Sequence, residues 1–432
     1  MKRDPLPEPT VEDRGVLRFL TCGSVDDGKS TLIGRLLYDT KALLTDTLAT
    51  MQRHAQRKGL AAPDLSLLTD GLIAEREQGI TIDVAYRYFA TARRKFIIAD
   101  SPGHEQYTRN MVTAASTADV AVLLIDARKG VLPQTRRHAT IAALLGIRQV
   151  ILAINKMDLV EWSQLRFDEI VADFRAWQAQ HPELVGTESS QDLHAVPLSA
   201  SLGDMVVERG TALDWYGGPT LLDLLESAPS AASAAAAPLR LPVQWVCRPP
   251  GSGLRGYAGR IESGRLAVGD TLAVLPGGRR TRVTGITLGA LELAEASSGM
   301  SVLVRLADEC DISRGDMLVH AADPSAIERR EIEATVCWLN SKPLSTGRSY
   351  VLRHATREVK ARVASIDGRL DIGKLSWTAG ATGAIELNEI ARLRLKTQQP
   401  LVADAHRTLR ATGGFVLIDE ATHETVGAGV VR

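Results

Sequence analysis

Val16-Leu-Arg-Phe-Leu-Thr-Cys22 runs directly into Gly23-Ser24-Val25-Asp26-Asp27-Gly28-Lys29-Ser30-Thr31 and then into Leu32-Ile-Gly-Arg-Leu-Leu37. The first run has the length and apolar content of a buried strand. The last carries apolar residues at helical spacing. Between them lies GxxxxGK[ST] without a mismatch, in the strand–loop–helix setting that the motif requires. Gly23 and Gly28 permit a tight turn whose N–H groups converge on phosphate oxygens, and the helix behind adds its positive end. Lys29 is placed to reach the β- and γ-phosphates, and Ser30 to give a hydroxyl to Mg²⁺. Residues Gly23 to Thr31 are therefore the candidate phosphate cradle.

Read outward from that loop, the first half alternates strand-length apolar runs with helical stretches. The runs are Val16–Cys22, Phe96–Ala99, Val120–Ile125, Val150–Ile154 and Ala195–Leu198. Lys29–Leu37 and Arg136–Leu145 lie between them with helical spacing. Such alternation predicts an α/β P-loop domain with a mostly parallel sheet and helices on both faces. We assign it residues 1–228. Pro229–Pro238, PSAASAAAAP, reads as a linker. Beyond it, strand-like pieces recur between glycine turns and predict two β-barrels, at 239–323 and 324–432. In the first barrel the pieces are Leu241–Cys247, Gly256–Ile261, Thr271–Leu275, Thr281–Thr287 and Ser301–Leu306. In the second they are Glu333–Leu339, Ser349–Leu352, Lys360–Asp367, Ala384–Leu395, Arg407–Ala411 and Gly414–Ile418.

The bulk numbers agree with a multidomain globular chain. It has 432 residues, 45% of them apolar and 24% charged. With 51 basic and 51 acidic side chains the net charge is zero, which speaks against a surface built mainly for nucleic acid or anionic lipid. The four cysteines show no CxxC spacing, so neither a zinc site nor a disulfide framework is expected. No apolar leader or 18-residue apolar run occurs, and a cytoplasmic location is expected.

Four more motifs follow the phosphate loop in order. Thr81, in Arg76-Glu-Gln-Gly-Ile-Thr81, is either a strand-edge threonine or a residue that contacts Mg²⁺ and the γ-phosphate only in the triphosphate state. Asp100-Ser-Pro-Gly103-His104 follows the second apolar run, Phe96–Ala99: Asp100 is placed to hold Mg²⁺ through water, the Gly103 amide to sense the γ-phosphate, and His104 to orient the attacking water. Asn155-Lys156-Met-Asp158 closes another run. Asp158 can accept from guanine N1–H and the 2-amino group, a donor pair that adenine lacks, while Asn155 and Lys156 brace the loop. Ser199-Ala200 can aim a backbone N–H at guanine O6. The expected cofactors are GTP and Mg²⁺, with Lys29, Thr81 and His104 as the catalytic set and Ser30, Thr81 and Asp100 around the metal.

These features resemble the translation-factor GTPases and, within them, the family of large subunits of bacterial sulfate adenylyltransferase. The segments that carry the resemblance are Cys22–Asp39, Asp100–Met111, Ile125-Asp-Ala-Arg-Lys-Gly130, Gln134–His138, Arg255–Gly259 and Trp338–Leu344. The resemblance implies a chain that couples GTP hydrolysis to formation of adenosine 5′-phosphosulfate from ATP and sulfate. It also implies a small catalytic subunit as partner, carrying the adenylyl-transfer site. It gives Asp26 two readings, placing a monovalent cation near the phosphates or bracing the loop. No second phosphate loop is present, so no fused adenylylsulfate kinase is expected. Ser101 and Met205 depart from the family's usual threonine and asparagine. The rival reading is a factor that binds RNA or the ribosome, and the zero net charge counts against it.

Overall fold

The computed structural model describes residues 15–42, 65, 83–102, 108–182, 193–229, 236–248, 255–371, 374, 376–380 and 383–432. Thr81, Gly103 and His104, and most of the 229–238 linker, lie outside these residues. The chain divides into two compact units, Met1–Ser230 and Ala231–Arg432.

The first unit is built on six strands: β1 (Val16–Cys22), β2 (Ala85–Ala90), β3 (Lys95–Asp100), β4 (Val120–Asp126), β5 (Gln149–Asn155) and β6 (Leu193–Pro197). Their order in the sheet is β2-β3-β1-β4-β5-β6. All neighbours are parallel except β2, which runs antiparallel to β3 at the edge. The predicted parallel strands are all present. β2, not foreseen from the sequence, alternates exposed and less exposed side chains as an edge strand does. Helices α1 (Lys29–Asp39), α2 (Thr108–Thr117), α3 (Pro133–Leu144), α4 (Gln164–Gln180) and α5 (Leu221–Ser227) accompany the sheet. β4 is buried at all seven positions, which is why Val-Ala-Val-Leu-Leu-Ile reads as a continuous apolar run. The core joins Leu17 and Phe19 of β1, Leu32, Ile33 and Leu36 of α1, and Val122 and Leu124 of β4.

Helix starts follow ordinary capping chemistry. α3 opens with Pro133 in its first turn, and Ser163 Oγ accepts from Arg166 N–H before α4. Thr220 and Asp223 form a reciprocal capping box on α5. α1 differs: its cap is Gly28 at φ +92° with no side-chain acceptor, so its first-turn N–H groups are left for something else. Among the described residues no helix is long and apolar enough to cross a membrane.

The second unit holds two antiparallel β systems. In the first, the segment Leu241–Cys247 pairs at one end with Met317–His320 and at the other with Gly256–Arg260, which closes the sheet on itself. In the second, Ser349–His354, Gly414–Ile418, Thr425–Val431, Glu328–Trp338, Ile390–Val402 and Arg357–Asp371 pair in that circular order and form a barrel. Two expectations fail. Arg407–Ala411 is a turn, with Thr408 and Leu409 N–H groups on the Ala405 carbonyl, leading into a 3₁₀ turn at Arg410–Thr412. The strand expected from Ala384 starts only at Ile390, because Glu386–Glu389 is a turn with Asn388 at φ +66°.

Candidate nucleotide site

Parallel pairing in register brings the carboxyl ends of β1, β3, β4, β5 and β6 to one edge of the sheet. Thr21 is level with Asp100, Asp126 with Asn155, and Ile154 with Pro197. Ligands of open α/β sheets bind at this edge. The loop Gly23–Gly28 sits there with backbone geometry that glycine permits. A Cβ on Gly28 would lie 2.4 Å from Asn155 Nδ2, and one on Gly23 2.8 Å from the Leu124 carbonyl oxygen. Asp26 takes a left-handed φ of +67° between them and is exposed.

Inside the loop, Lys29 is buried and its Nζ donates to the carbonyls of Gly23 and Ser24, both at 2.9 Å. Burial pulls its pKa down, against the upward pull of Asp100 and Asp27. Asp27 is also buried, and its Oδ2 accepts the Ser24 N–H at 2.6 Å. Burial pushes that carboxyl up, against the Ser24 N–H and the Lys29 charge. Asp27 Oδ1 and Ser24 Oγ are buried with no hydrogen-bond partner. Asp100 ends β3 and is buried, with its Oδ1 accepting from Thr21 Oγ1 at 3.1 Å. Ser101 donates from Oγ to the Thr21 carbonyl at 2.8 Å, so a hydroxyl keeps this tie where threonine is usual.

Asn155 links three parts of the site. Its Nδ2 donates to the Asp27 carbonyl at 2.8 Å, and its Oδ1 accepts from Ala200 N–H at 2.9 Å. Lys156, at φ +64°, donates to the Asp26 carbonyl and pairs with Asp126 at 3.0 Å. Asp126 is fully buried and also takes a two-point contact from Arg128. Burial alone would raise its carboxyl, but the hydrogen bonds from Arg128 and Lys156 outweigh it and hold it below the usual range. Beyond them, Asp158 Oδ1 is shut off from solvent and has no partner.

The Ser199-Ala200 turn departs from expectation in one detail. The Ala200 N–H is already engaged by Asn155, while Ser201 N–H makes no hydrogen bond among the described residues. The side chain of Ser199 braces the turn by accepting from Leu202 N–H at 3.3 Å. Met205, six residues after Ser199, is fully buried at φ +61°, a region that asparagine enters more easily than methionine.

Sequence reading thus places Gly23–Thr31, Asp100, Asn155, Lys156, Asp158 and Ser199-Ala200 at one sheet edge. It missed Thr21, which holds Asp100, and Asp126, which pairs with Lys156 and is itself gripped by Arg128. Ile125–Gly130 was conspicuous in sequence without a role attached. His138, from another such segment, is a buried core histidine whose pKa is pulled down to about 3 by burial, with Lys29 and Arg137 adding to it.

With that geometry in place, similarity to known proteins is informative. Residues 14–230 match the family model described as the elongation factor Tu GTP binding domain, and 331–432 match the GTP-eEF1A C-terminal domain-like model. Sulfate adenylyltransferase subunit 1 of Aeromonas hydrophila is 50% identical over 422 residues, covering 97% of this chain and 86% of the relative. The corresponding subunit of Laribacter hongkongensis is 48% identical over 423 residues, covering 98% of this chain and 86% of the relative. The bifunctional enzyme CysN/CysC of Mycobacterium tuberculosis is 50% identical over 420 residues, covering 96% of this chain and 67% of the relative. The chain belongs to the sulfate adenylyltransferase subunit 1 family, within the translation-factor GTPases.

Proposed function

We propose that this chain is the GTPase subunit of a sulfate adenylyltransferase. It binds GTP at the β1–β3–β4–β5–β6 edge and couples its hydrolysis to adenylyl transfer, in which ATP and sulfate give adenosine 5′-phosphosulfate and pyrophosphate. The observation that carries the nucleotide part is Asp158 Oδ1, a shielded carboxylate oxygen without a partner beside a loop whose helix-end N–H groups also lack a side-chain acceptor. A buried acceptor is left unpaired only at a cost of about 1–3 kcal/mol, and guanine N1–H and its 2-amino group are the donors that would remove that cost. The two gaps are complementary to the two ends of one GTP molecule.

In this reading Gly23–Thr31 hold the phosphates, Lys29 supplies the β/γ-phosphate charge, and Ser199–Ser201 meet the guanine O6. The oxygen donors Ser30, Asp100 and Thr81 suit Mg²⁺, a hard cation that takes oxygen ligands. Gly103 senses the γ-phosphate, and His104 orients the attacking water. Asp26 serves a monovalent cation or braces the loop. The adenylyl-transfer site belongs to a separate small catalytic subunit, which docks against the γ-phosphate-sensing segments around Thr81 and Gly103–Met111. Coupling of this kind requires each site to respond to the state of the other. The domain limits 1–228, 239–323 and 324–432, and a cytoplasmic setting, belong to the same proposal.

The test is pyrophosphate release from ATP and sulfate, measured with each subunit alone and together, with and without GTP. Activity is expected only with the small subunit present, and a rise in both product formation and GTP hydrolysis when the two are combined. Synthesis by this chain alone, or a pair indifferent to GTP, would refute the proposal.

A further inference from the structure

Arg35 lies on α1, the helix whose first turn carries Lys29 and Ser30. Its side chain is 16% exposed and reaches the turn after β6, 165 positions away in sequence. Nε donates to the Ala200 carbonyl at 3.2 Å, and Nη2 donates to the Ser201 carbonyl. Nη1 rests on Asp39 Oδ1 at 3.4 Å, and the Tyr38 ring lies 5.7 Å away. A guanidinium forked over two consecutive carbonyls fixes a turn in a way that a single donor cannot.

The consequence follows from peptide geometry. The Ala200 carbonyl and the Ser201 N–H belong to the same peptide unit, and in a planar trans peptide they point in opposite directions. Pinning the carbonyl to Arg35 therefore aims the N–H away from α1. The Ala200 N–H is held by Asn155 Oδ1, so the Ser201 N–H is the donor of this turn left without a partner among the described residues.

We propose that Arg35 is a positioning residue for base recognition: by holding the Ala200 and Ser201 carbonyls it presents the Ser201 N–H to the 6-oxo group of guanine. It also ties that turn to the helix that cradles the phosphates, so the two ends of the nucleotide are read by one rigid frame. This inference rests on the site being a guanine-nucleotide site.

The test compares the full chain with Arg35→Met, titrating each with GTP, 6-thio-GTP, ITP and ATP. Sulfur is a weak acceptor, so 6-thio-GTP reports the 6-position. ITP keeps the 6-oxo group but lacks the 2-amino group, and so reports Asp158. Arg35→Met should weaken GTP about tenfold, the worth of one hydrogen bond. It should weaken 6-thio-GTP much less, and it should leave the GTP-to-ITP ratio at the wild-type value. Arg35→Lys, which keeps the charge but not the fork, should fall between, and it carries the same comparison if Arg35→Met does not fold. An unchanged GTP-to-6-thio-GTP ratio, or equal weakening of all four nucleotides, would overturn the proposal, since that is what loss of structure alone would give. A wild-type chain that does not prefer GTP over ATP would instead remove the guanine reading on which the proposal stands.

Discussion

Two buried polar networks in this chain make an informative contrast. In the second unit, Arg240 is fully buried and every arm of its guanidinium is engaged. Nε and Nη2 grip Asp404 at 2.9 and 2.8 Å, Nη1 meets Asp323 at 2.6 Å and the Leu239 carbonyl at 2.9 Å, and Nη2 also reaches Ser325 Oγ at 2.9 Å. The carboxylates are saturated in turn, Asp404 by Thr412 and Asp323 by Ser325. In the first unit, the network through Lys29, Asn155 and Lys156 is just as dense, yet Ser24 Oγ, Asp27 Oδ1 and Asp158 Oδ1 are left without partners. A network that closes on itself holds structure together. One that stops short at several buried oxygens along a single sheet edge is shaped for something that completes it.

The sharpest way to break this contrast is to open the closed network. Arg240→Met leaves Asp404 and Asp323 with buried, uncompensated charge and should cost about 3–5 kcal/mol of stability. It should lower the denaturation midpoint of the second unit and leave the GTP affinity of the first unaltered. Replacing Asp323 and Asp404 by leucine in the same chain should restore most of the loss, because a well-packed apolar set substitutes for a complete ion network. A variant as stable as wild type would show that the network contributes nothing, and the contrast would fall.

A smaller effect concerns pH. Burial alone would raise the Asp323 carboxyl, but hydrogen bonds from Ser325 and Arg240 outweigh it and hold its pKa below the ordinary value. The folded value is then lower than the unfolded value, near 3.9. Its contribution to stability is therefore complete above about pH 4 and fades as the pH falls from there toward the folded value. Urea midpoints followed from neutral pH downward should show this acid limb in wild type and a shallower one in Arg240→Met. Equal limbs in the two chains would contradict the assignment.

Much of the fold was legible in sequence, and the exceptions share a cause. Buried parallel strands announce themselves as apolar runs, so β1, β3, β4, β5 and β6 were readable. The final strand, Thr425–Val431, was not, because Gly427 and Gly429 look like turn residues. In the barrel they lie beneath aromatic rings: a Cβ on Gly429 would be 2.4 Å from Phe415, and one on Gly427 3.3 Å from Trp338. The site divides in the same way. Motif residues with fixed chemistry, such as Lys29, Asn155 and Asp158, could be named from spacing. Arg35 and Arg240 could not, since their partners are set by tertiary pairing and carry no local pattern, and neither could the pairing of Asp126 with Lys156.

The central claim is that the open network accepts a guanine nucleotide, with Asp158 reading the base, and that its occupancy drives chemistry elsewhere. Asp158→Asn tests both halves at once, because an amide in place of the carboxylate donates where Asp158 accepts and so suits xanthine. In the reconstituted pair with the small subunit, pyrophosphate release from ATP and sulfate should be stimulated by XTP and no longer by GTP. Stimulation by GTP that survives the substitution undiminished, with XTP inert, would contradict the account.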